Sequence, residues 1–237
     1  MIKEKKLHLG EGFTLIEMLV VVFIIGCLLA MLSPIFSQSF KRGDMVVCQS
    51  NLHQLGIAST AYLSENKTRF MPFRKWIVGS NYTDINGIRN GLIFPFITNI
   101  NFFLCPTFKN VCDPLAVRSY VMTWNFGCTE SYWFNGDWAQ PDSIDYLSQV
   151  KYPERLGIIT EEATYTIPNY STYTMNDAHL VAPDWPRRDT MANFHYPGTG
   201  EIRIQIEGVA NVVYVDGHVS FNTTDLTPYV LTQKWYD

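Results

Sequence analysis

The fold is decided by the stretch Gly12-Phe13-Thr14-Leu15-Ile16-Glu17-Met18-Leu19-Val20-Val21-Val22-Phe23-Ile24-Ile25-Gly26-Cys27-Leu28-Leu29-Ala30-Met31-Leu32, which follows a short basic leader. This stretch is almost wholly apolar, and its continuation to Phe36 makes it long enough to span a bilayer, which takes about 20 helical residues. One carboxylate, that of Glu17, interrupts it near its start. A charge inside such a segment costs roughly 2.5–3.5 kcal/mol. We therefore expect Glu17 to have a functional partner.

Cleavage of the chain would supply such a partner. A cut between Gly12 and Phe13 creates a free α-amine one helical turn from Glu17, close enough to compensate its charge in the same or a neighbouring subunit. An ordinary secretory signal would end at a small-x-small site and would not carry an acid in its apolar core. An ordinary single-pass anchor accounts for neither Gly12 nor Glu17.

These residues resemble the class III signal of type IV pilins and of the pseudopilins of type II secretion. The family pattern is a basic leader, Gly, Phe-Thr-Leu-Ile-Glu and an apolar helix, and Gly12, Phe13 and Glu17 match it position by position. The resemblance implies cleavage after Gly12 and methylation of Phe13 by a prepilin peptidase, subunit alignment through Glu17, and a helix loosened at Pro34. It also implies other pilin-like subunits, the membrane and an assembly platform as partners.

A second resemblance is to a bacterial subgroup of pilin-like proteins with an H-X9-DG motif near the C-terminus. The subgroup's Cys-x-x-Asn-Leu-x-Gln-Leu-Gly segment is matched by Cys48-Gln49-Ser50-Asn51-Leu52-His53-Gln54-Leu55-Gly56, with further echoes at residues 103–106, 119–122 and 210–219. The spacing departs from the motif, because His195 stands well more than nine residues before Asp216-Gly217. The role of the family's His is therefore not carried over to His195.

Composition and charge limit the domain count and the partners. The 237 residues, 47% hydrophobic and 17% charged, suit one helix and one globular domain. We expect a leader at 1–12, a transmembrane and assembly helix at 13–36, and an exported pilin-like domain at 37–237.

The net charge of −4 becomes −5 without the leader's three lysines and two glutamates, so no nucleic acid binding is expected. The leader's lysines place the N-terminus in the cytoplasm and everything after Phe36 on the far side of the inner membrane.

Hydrophobic periodicity predicts an α+β fold, with a long N-terminal helix packed on a small antiparallel sheet. The helix is expected to continue through residues 37–67, because an apolar stripe recurs at spacings of three and four: Val47, Cys48, Leu52, Leu55, Ala58 and Tyr62. Strands are expected at residues 91–94, 118–122, 156–160 and 209–215. Asp216-Gly217 predicts a hairpin with a type I′ turn.

The cysteines favour disulfides. Cys27 lies in the apolar segment, which leaves four outside it: Cys48, Cys105, Cys112 and Cys128. Two disulfides are expected in an oxidising compartment; sequence leaves their pairing open, with Cys105 and Cys112 as the favoured pair. Zinc is less favoured, because Cys-x6-Cys is wider than the usual zinc spacing.

No cofactor is expected, although calcium is kept as an alternative. Major pseudopilins of the resembled family can carry calcium near the C-terminus, and oxygen donors are available without EF-hand spacing: Asp137, Asp142, Asp145 and Asp216.

Each group of residues that could act in catalysis also has a structural interpretation, and we favour the structural one. We therefore expect that the chain is not an enzyme. Asp216, His218, His195 and His179 could form a metal or hydrolytic set, but Asp216 already serves as a turn residue. Glu161-Glu162 is interpreted as a solvated strand end, since adjacent residues of a strand point to opposite faces.

The remaining candidate is an aromatic stretch at residues 124–138. Trp124, Trp133 and Trp138 could stack on sugars or on another protein, although a loop packed by its own aromatic rings is favoured. We thus expect a pilin-like structural subunit that forms a filament. The alternatives are a membrane-displayed or exported surface protein that binds polysaccharide or a secreted partner, and an exported hydrolase.

Overall fold

The structure is a computed structural model of the chain. It describes residues 13–79, 81–111, 114–123, 125–127, 132–134, 137–139, 143–161, 179–180, 195 and 209–223. The chain divides into two units, Met1–Phe40 and Lys41–Asp237. The second unit contains the sheet and the hydrophobic core.

Helix α1 runs over Leu15–Glu65, as the sequence predicts. By length and composition it is able to cross a membrane. Within the second unit its buried face includes Cys48, Leu52, Leu55 and Ala58, so the predicted stripe is confirmed at these positions. Val47 is an exception, because its side chain is 46% exposed. Pro34 lies inside the helix, and the loosening expected there remains a prediction.

Among the described residues after α1 there are two short helices and seven strands. The helices are α2 (Ile85–Arg89) and α3 (Pro106–Val111), with 3-10 turns at Phe94–Phe96, Ile100–Phe103 and Leu147–Gln149. The strands are β1 (Tyr120–Thr123), β2 (Tyr132–Phe134), β3 (Asp137–Ala139), β4 (Gly157–Glu161), β5 (His179–Leu180), β6 (Val209–Tyr214) and β7 (Val219–Thr223).

The main sheet has the strand order β5-β1-β4-β6-β7. Strands β1, β4, β6 and β7 pair antiparallel, whereas the short β5 is parallel to β1. Strands β2 and β3 form a separate antiparallel pair. Every residue of β1, β4 and β6 is buried, so both faces of the central strands are covered. The predicted α+β fold is confirmed.

The prediction of a strand at residues 91–94 is wrong. The Phe94 N–H donates to the Gly91 carbonyl at 3.2 Å, and a 3-10 turn begins at Phe94. Pro95 follows at once, and its ring removes the backbone donor that a central strand needs. Local turns therefore replace the strand.

The β6–β7 hairpin is confirmed, but its turn is not type I′. The Gly217 N–H donates to the Tyr214 carbonyl at 2.9 Å, and Gly217 has φ +91°. Positive φ is confined to Gly217 within this turn, whereas type I′ needs it at both central residues. The loop is one residue longer than expected, and its glycine occupies the bulge position.

Helix α1 packs against the sheet at Gly56. A Cβ atom built on Gly56 would lie 2.7 Å from Cγ2 of Val213 in β6, closer than side chains approach. On the same helix, the carbonyl of Cys48 accepts a hydrogen bond from the Tyr120 hydroxyl of β1 at 3.4 Å. These contacts fix the helix against the two strands that flank β4.

Candidate functional sites

Helix α1 begins with reciprocal hydrogen bonds between Thr14 and Glu17. The Thr14 N–H and hydroxyl donate to Glu17 Oε2 at 2.8 and 2.7 Å, and the Glu17 N–H donates to Thr14 Oγ1 at 3.3 Å. This is a capping box, in which each side chain binds the other residue's backbone amide. Glu17 therefore has a local partner as well as any partner in another subunit. The pattern Thr-x-x-Glu was the available signal, and the interpretation of Glu17 as a lone charge missed it.

The segment that follows is apolar and uncovered. All residues from 13 to 33 are exposed in the subunit, including the candidate processing residue Phe13 and the free Cys27. Gly12 lies outside the described residues, and so does the side chain of Pro34. An apolar surface of this extent is stable in lipid or against other apolar helices rather than in water.

A second candidate site is the buried contact between Glu161 and His195. Glu161 ends β4, and its Oε1 lies 2.8 Å from His195 Nε2, with both side chains fully buried. The other carboxylate oxygen, Oε2, accepts the Asn211 backbone N–H at 2.9 Å and lies 3.4 Å from Asn211 Nδ2. The expectation of a solvated strand end is therefore wrong for Glu161. Glu162 lies outside the described residues.

The same site contains a disulfide between Cys48 and Cys105. Their Cα atoms are 5.1 Å apart, both residues are fully buried, and Cys105 Sγ lies 3.5 Å from His195 Nε2. The favoured pairing of Cys105 with Cys112 is wrong. Instead of a short loop, the helix α3 follows Cys105 directly, while α1 brings Cys48 beside it. Cys112 and Cys128 lie outside the described residues.

Tyr120 connects this site to helix α1. Its hydroxyl donates to the Cys48 carbonyl, and the residue is completely buried. Burial raises the pKa of Tyr120 well above its usual range, and the Glu161 carboxylate raises it further, while a hydrogen bond with Asn51 acts in the opposite direction. Tyr120 is therefore a neutral donor at physiological pH.

The comparisons with known proteins concern the exposed N-terminal segment. The model of a family described as the prokaryotic N-terminal methylation motif matches residues 11–33. The chain carries a prepilin-like signal. No curated protein and no solved structure matches the chain.

The prepilin-like signal supports a pilin-like or pseudopilin substrate of a prepilin peptidase. Together with the long apolar helix it indicates anchoring in a membrane. It also points to a structural pilin-like protein.

The histidines and the aspartate that the sequence suggested as a metal or hydrolytic set do not form one site among the described residues. Asp216 Oδ1 accepts the His218 N–H at 3.1 Å and lies 2.6 Å from His218 Nδ1, on the exposed hairpin. This is a turn arrangement, whereas His195 contacts Glu161 and Cys105 in the core. The side chain of His179 in β5 lies outside the described residues.

Two further predictions from the sequence, the calcium ligands and the tryptophans of a ligand-binding surface, remain expectations. Of the calcium candidates, Asp142 and the side chain of Asp137 lie outside the described residues, while Asp145 accepts the Ser143 hydroxyl at 2.7 Å. Of the tryptophans, Trp133 and Trp138 are directly opposite each other in the β2–β3 register. Their side chains lie outside the described residues, as does Trp124.

Proposed function

We propose that this chain is a structural pilin-like subunit, a pseudopilin of a type II secretion or type IV pilus-like system. A prepilin peptidase cuts it after Gly12 and methylates Phe13, and the mature subunits polymerise through their apolar helices. The observation that carries this proposal is that the methylation motif at residues 11–33 coincides with a helical segment whose residues 13–33 are all exposed. Such a segment needs lipid before assembly and neighbouring helices after it.

The proposed topology follows from the leader. Its lysines keep residues 1–12 in the cytoplasm, residues 13–36 span the inner membrane, and residues 37–237 are exported. An assembly platform then moves the subunit from the membrane into the growing filament. The exported domain is carried on the outside of that filament.

Glu17 gives the assembly its register. Burial of apolar helix surface contributes roughly 25 cal/mol per Å², but this attraction is non-directional and fixes no register. The Phe13 amine and the Glu17 carboxylate fix the register, because a buried charge without its partner is penalised. Cleavage leaves the Thr14 N–H in its peptide bond with Phe13, so the capping box is compatible with the mature N-terminus.

Intact-mass and N-terminal analysis of the protein extracted from its native membrane tests the processing. The expected chain begins at a methylated Phe13. A chain that still begins at Met1 would make the helix an anchor only, and one that begins beyond Leu32 would make it an ordinary signal peptide.

Three variants separate the charge of Glu17 from its capping role. Glu17→Gln keeps a capping side chain but loses the charge, Glu17→Ala loses both, and Thr14→Ala loses the cap alone. If the charge sets the register, both Glu17 variants are cleaved normally but enter filaments poorly, whereas Thr14→Ala assembles like the parent. Normal assembly of Glu17→Gln with poor assembly of Thr14→Ala would leave capping as the only role.

Membership of the H-X9-DG subgroup is a narrower part of the proposal. Its support is that the residues of the Cys48–Gly56 segment have specific partners: Cys48 bonds to Cys105, Asn51 Nδ2 donates to the Leu104 carbonyl at 3.0 Å, and Gly56 meets Val213.

A surface-binding role is the second candidate. It is favoured by the opposite positions of Trp133 and Trp138 in the β2–β3 register. Combined alanine substitutions of Trp124, Trp133 and Trp138 test it. Loss of polysaccharide or partner binding with intact assembly would support display on the filament, and unchanged binding would remove this candidate.

A further inference from the structure

Four buried side chains bring one potential ligand atom each into a single cluster: Cys48, Cys105, Glu161 and His195. These atoms all lie within 4.8 Å of one another, and the four residues come from separate parts of the chain. We propose that, in its thiol form, this cluster binds one divalent transition-metal ion, with Zn²⁺ as the expected ion. The metal-bound form is an alternative to the Cys48–Cys105 disulfide.

The donor set and its spacing suit zinc. Two thiolates, an imidazole and a carboxylate are ligands that Zn²⁺ takes in tetrahedral sites, with bonds of about 2.0–2.3 Å. The edges of such a tetrahedron are therefore about 3.3–3.8 Å long. The 3.5 Å between Cys105 Sγ and His195 Nε2 already has this length. The 2.8 Å contact between His195 Nε2 and Glu161 Oε1 has to open by a few tenths of an ångström, and the sulfur atoms of Cys48 and Cys105 have to move apart after the disulfide is reduced.

The contact between His195 and Glu161 needs a proton when no metal is bound. Two lone pairs 2.8 Å apart repel unless His195 Nε2 or Glu161 Oε1 carries a hydrogen. A metal ion replaces that proton and binds both atoms at once.

Neighbouring groups hold both ligands in the orientation that a metal requires. Thr107 Oγ1 lies 3.4 Å from His195 Nδ1, so an Nδ1–H that donates there leaves the Nε2 lone pair directed at the cluster. Asn211 directs its backbone N–H and its Nδ2 at Glu161 Oε2. These two donors also stabilise the negative charge that two thiolates and a carboxylate leave around a divalent ion.

The geometry does not fit nucleophilic catalysis by cysteine. In a cysteine–histidine–acid relay, the thiol and the acid contact different nitrogens of the imidazole. Here Cys105 Sγ and Glu161 Oε1 both contact His195 Nε2. The donors converge on one point, which is the arrangement of a metal site.

The metal-bound form and the disulfide form arise from the thiol form by two separate reactions. Binding of Zn²⁺ to the thiol form releases one proton from each thiol, and a hydrogen between His195 Nε2 and Glu161 Oε1 has to leave that position. Disulfide formation instead needs an oxidant that accepts two electrons, and it withdraws both sulfur ligands from the cluster. Either form ties helix α1 to the segment before α3.

The test uses the full chain in detergent, with Cys27, Cys112 and Cys128 replaced by serine so that only Cys48 and Cys105 remain as sulfur ligands. A phosphine gives two electrons to the disulfide, and water supplies the oxygen of the resulting phosphine oxide and the protons of the two thiols. We expect the reduced chain to bind one Zn²⁺ by elemental analysis. Co²⁺ in its place should give the near-ultraviolet absorption of a cobalt–thiolate bond. A folded, reduced chain that binds no metal would overturn the proposal.

Variants locate the bound ion. His195→Gln and Glu161→Gln are expected to weaken Zn²⁺ binding about tenfold or more. The matched control is His218→Gln, which removes an exposed histidine beside Asp216 and should leave binding unchanged. A cooperative denaturant transition followed by tryptophan fluorescence reports that each variant is folded. Equal zinc affinity in folded His195→Gln, Glu161→Gln and His218→Gln chains would place the metal elsewhere and refute the site.

Discussion

Oε1 of Glu161 lies 2.8 Å from Nε2 of His195, and no part of either side chain reaches solvent. The two residues are separated by 34 positions in the sequence. One ends β4, and the other forms an isolated bridge with Val209 at the start of β6. This contact joins the end of β4 to a residue that also bridges the start of β6.

Loss of the Glu161 carboxylate is expected to be strongly destabilising. In the disulfide form, Glu161→Ala removes the acceptor of the Asn211 N–H and the contact with His195 Nε2, which should lower the free energy of unfolding by about 1–3 kcal/mol for each lost hydrogen bond. Denaturant titration of the full chain in detergent, followed by tryptophan fluorescence, measures this change. The control is Glu154→Ala on the exposed Glu154–Arg155 pair, with an expected loss of at most about 1 kcal/mol. Equal stability of the two variants would contradict a buried Glu161.

The Cys48–Cys105 disulfide is expected to contribute substantially to stability. Its sequence separation of 57 corresponds to roughly 4 kcal/mol of loop-closure entropy, and measured values are typically 2–5 kcal/mol. Cys105→Ser should lower the free energy of unfolding by this amount under metal-free conditions, whereas Cys27→Ser should leave the stability of the second unit unchanged. Peptide mapping without reduction should recover Cys48 linked to Cys105. A Cys105–Cys112 peptide would refute the pairing.

Two glycines of the same helix should respond differently to alanine. At Gly56 the new Cβ would meet Val213 Cγ2, so Gly56→Ala should destabilise the domain by about 1–3 kcal/mol through overpacking. At Gly43 nothing lies within 4 Å of the new Cβ, so Gly43→Ala should stabilise the helix by up to about 1 kcal/mol. Denaturant titrations of both variants make the comparison. A stabilised Gly56→Ala chain would show that α1 does not pack closely on β6.

The raised pKa of Tyr120 predicts a loss of stability in alkali. The unfolded phenol ionises near pH 10, while the folded one keeps its proton, so the folded state binds more protons above that pH. The contribution of Tyr120 is complete below pH ~10 and falls by up to about 1.4 kcal/mol per pH unit until the folded pKa is reached.

Tyr120→Phe isolates this effect. At neutral pH the variant should be less stable by about 0.5–1.5 kcal/mol, because the hydrogen bond to the Cys48 carbonyl is lost. Above pH ~10 the difference from the parent should shrink and then reverse. Denaturant titrations at a series of pH values measure it, and a constant difference would contradict the raised pKa.

The elements that could be predicted from the sequence are those with a local pattern. The stripe from Cys48 to Ala58 repeats with the helical period, and the apolar run before Asp216-Gly217 predicts a strand and a hairpin. The strand expected at residues 91–94 shows the limit of such patterns, since an apolar run fits a turn as well. The type of the β6–β7 turn was also missed, because Asp-Gly occurs in more than one kind of hairpin loop.

The buried site could not be predicted, because its members meet only after folding. Glu161 follows a strand as many solvated acids do, and nothing in the sequence shows that His195 covers it. Cys48 lies 57 positions from Cys105, so proximity in sequence favoured Cys112 instead. The one local signal was Asn211, an amide inside the apolar run of β6, which indicates a polar partner in the core.

Cys48 is the first buried residue of α1 after the chain enters its second unit at Lys41. A pull applied along the helix therefore reaches the body of the domain at a covalent bond, before it reaches the apolar contacts of Leu52 and Leu55. The pulling force passes directly from residue 48 to residue 105. A fibre built from such subunits would stretch or break at contacts between subunits, while each domain stays attached to its own helix.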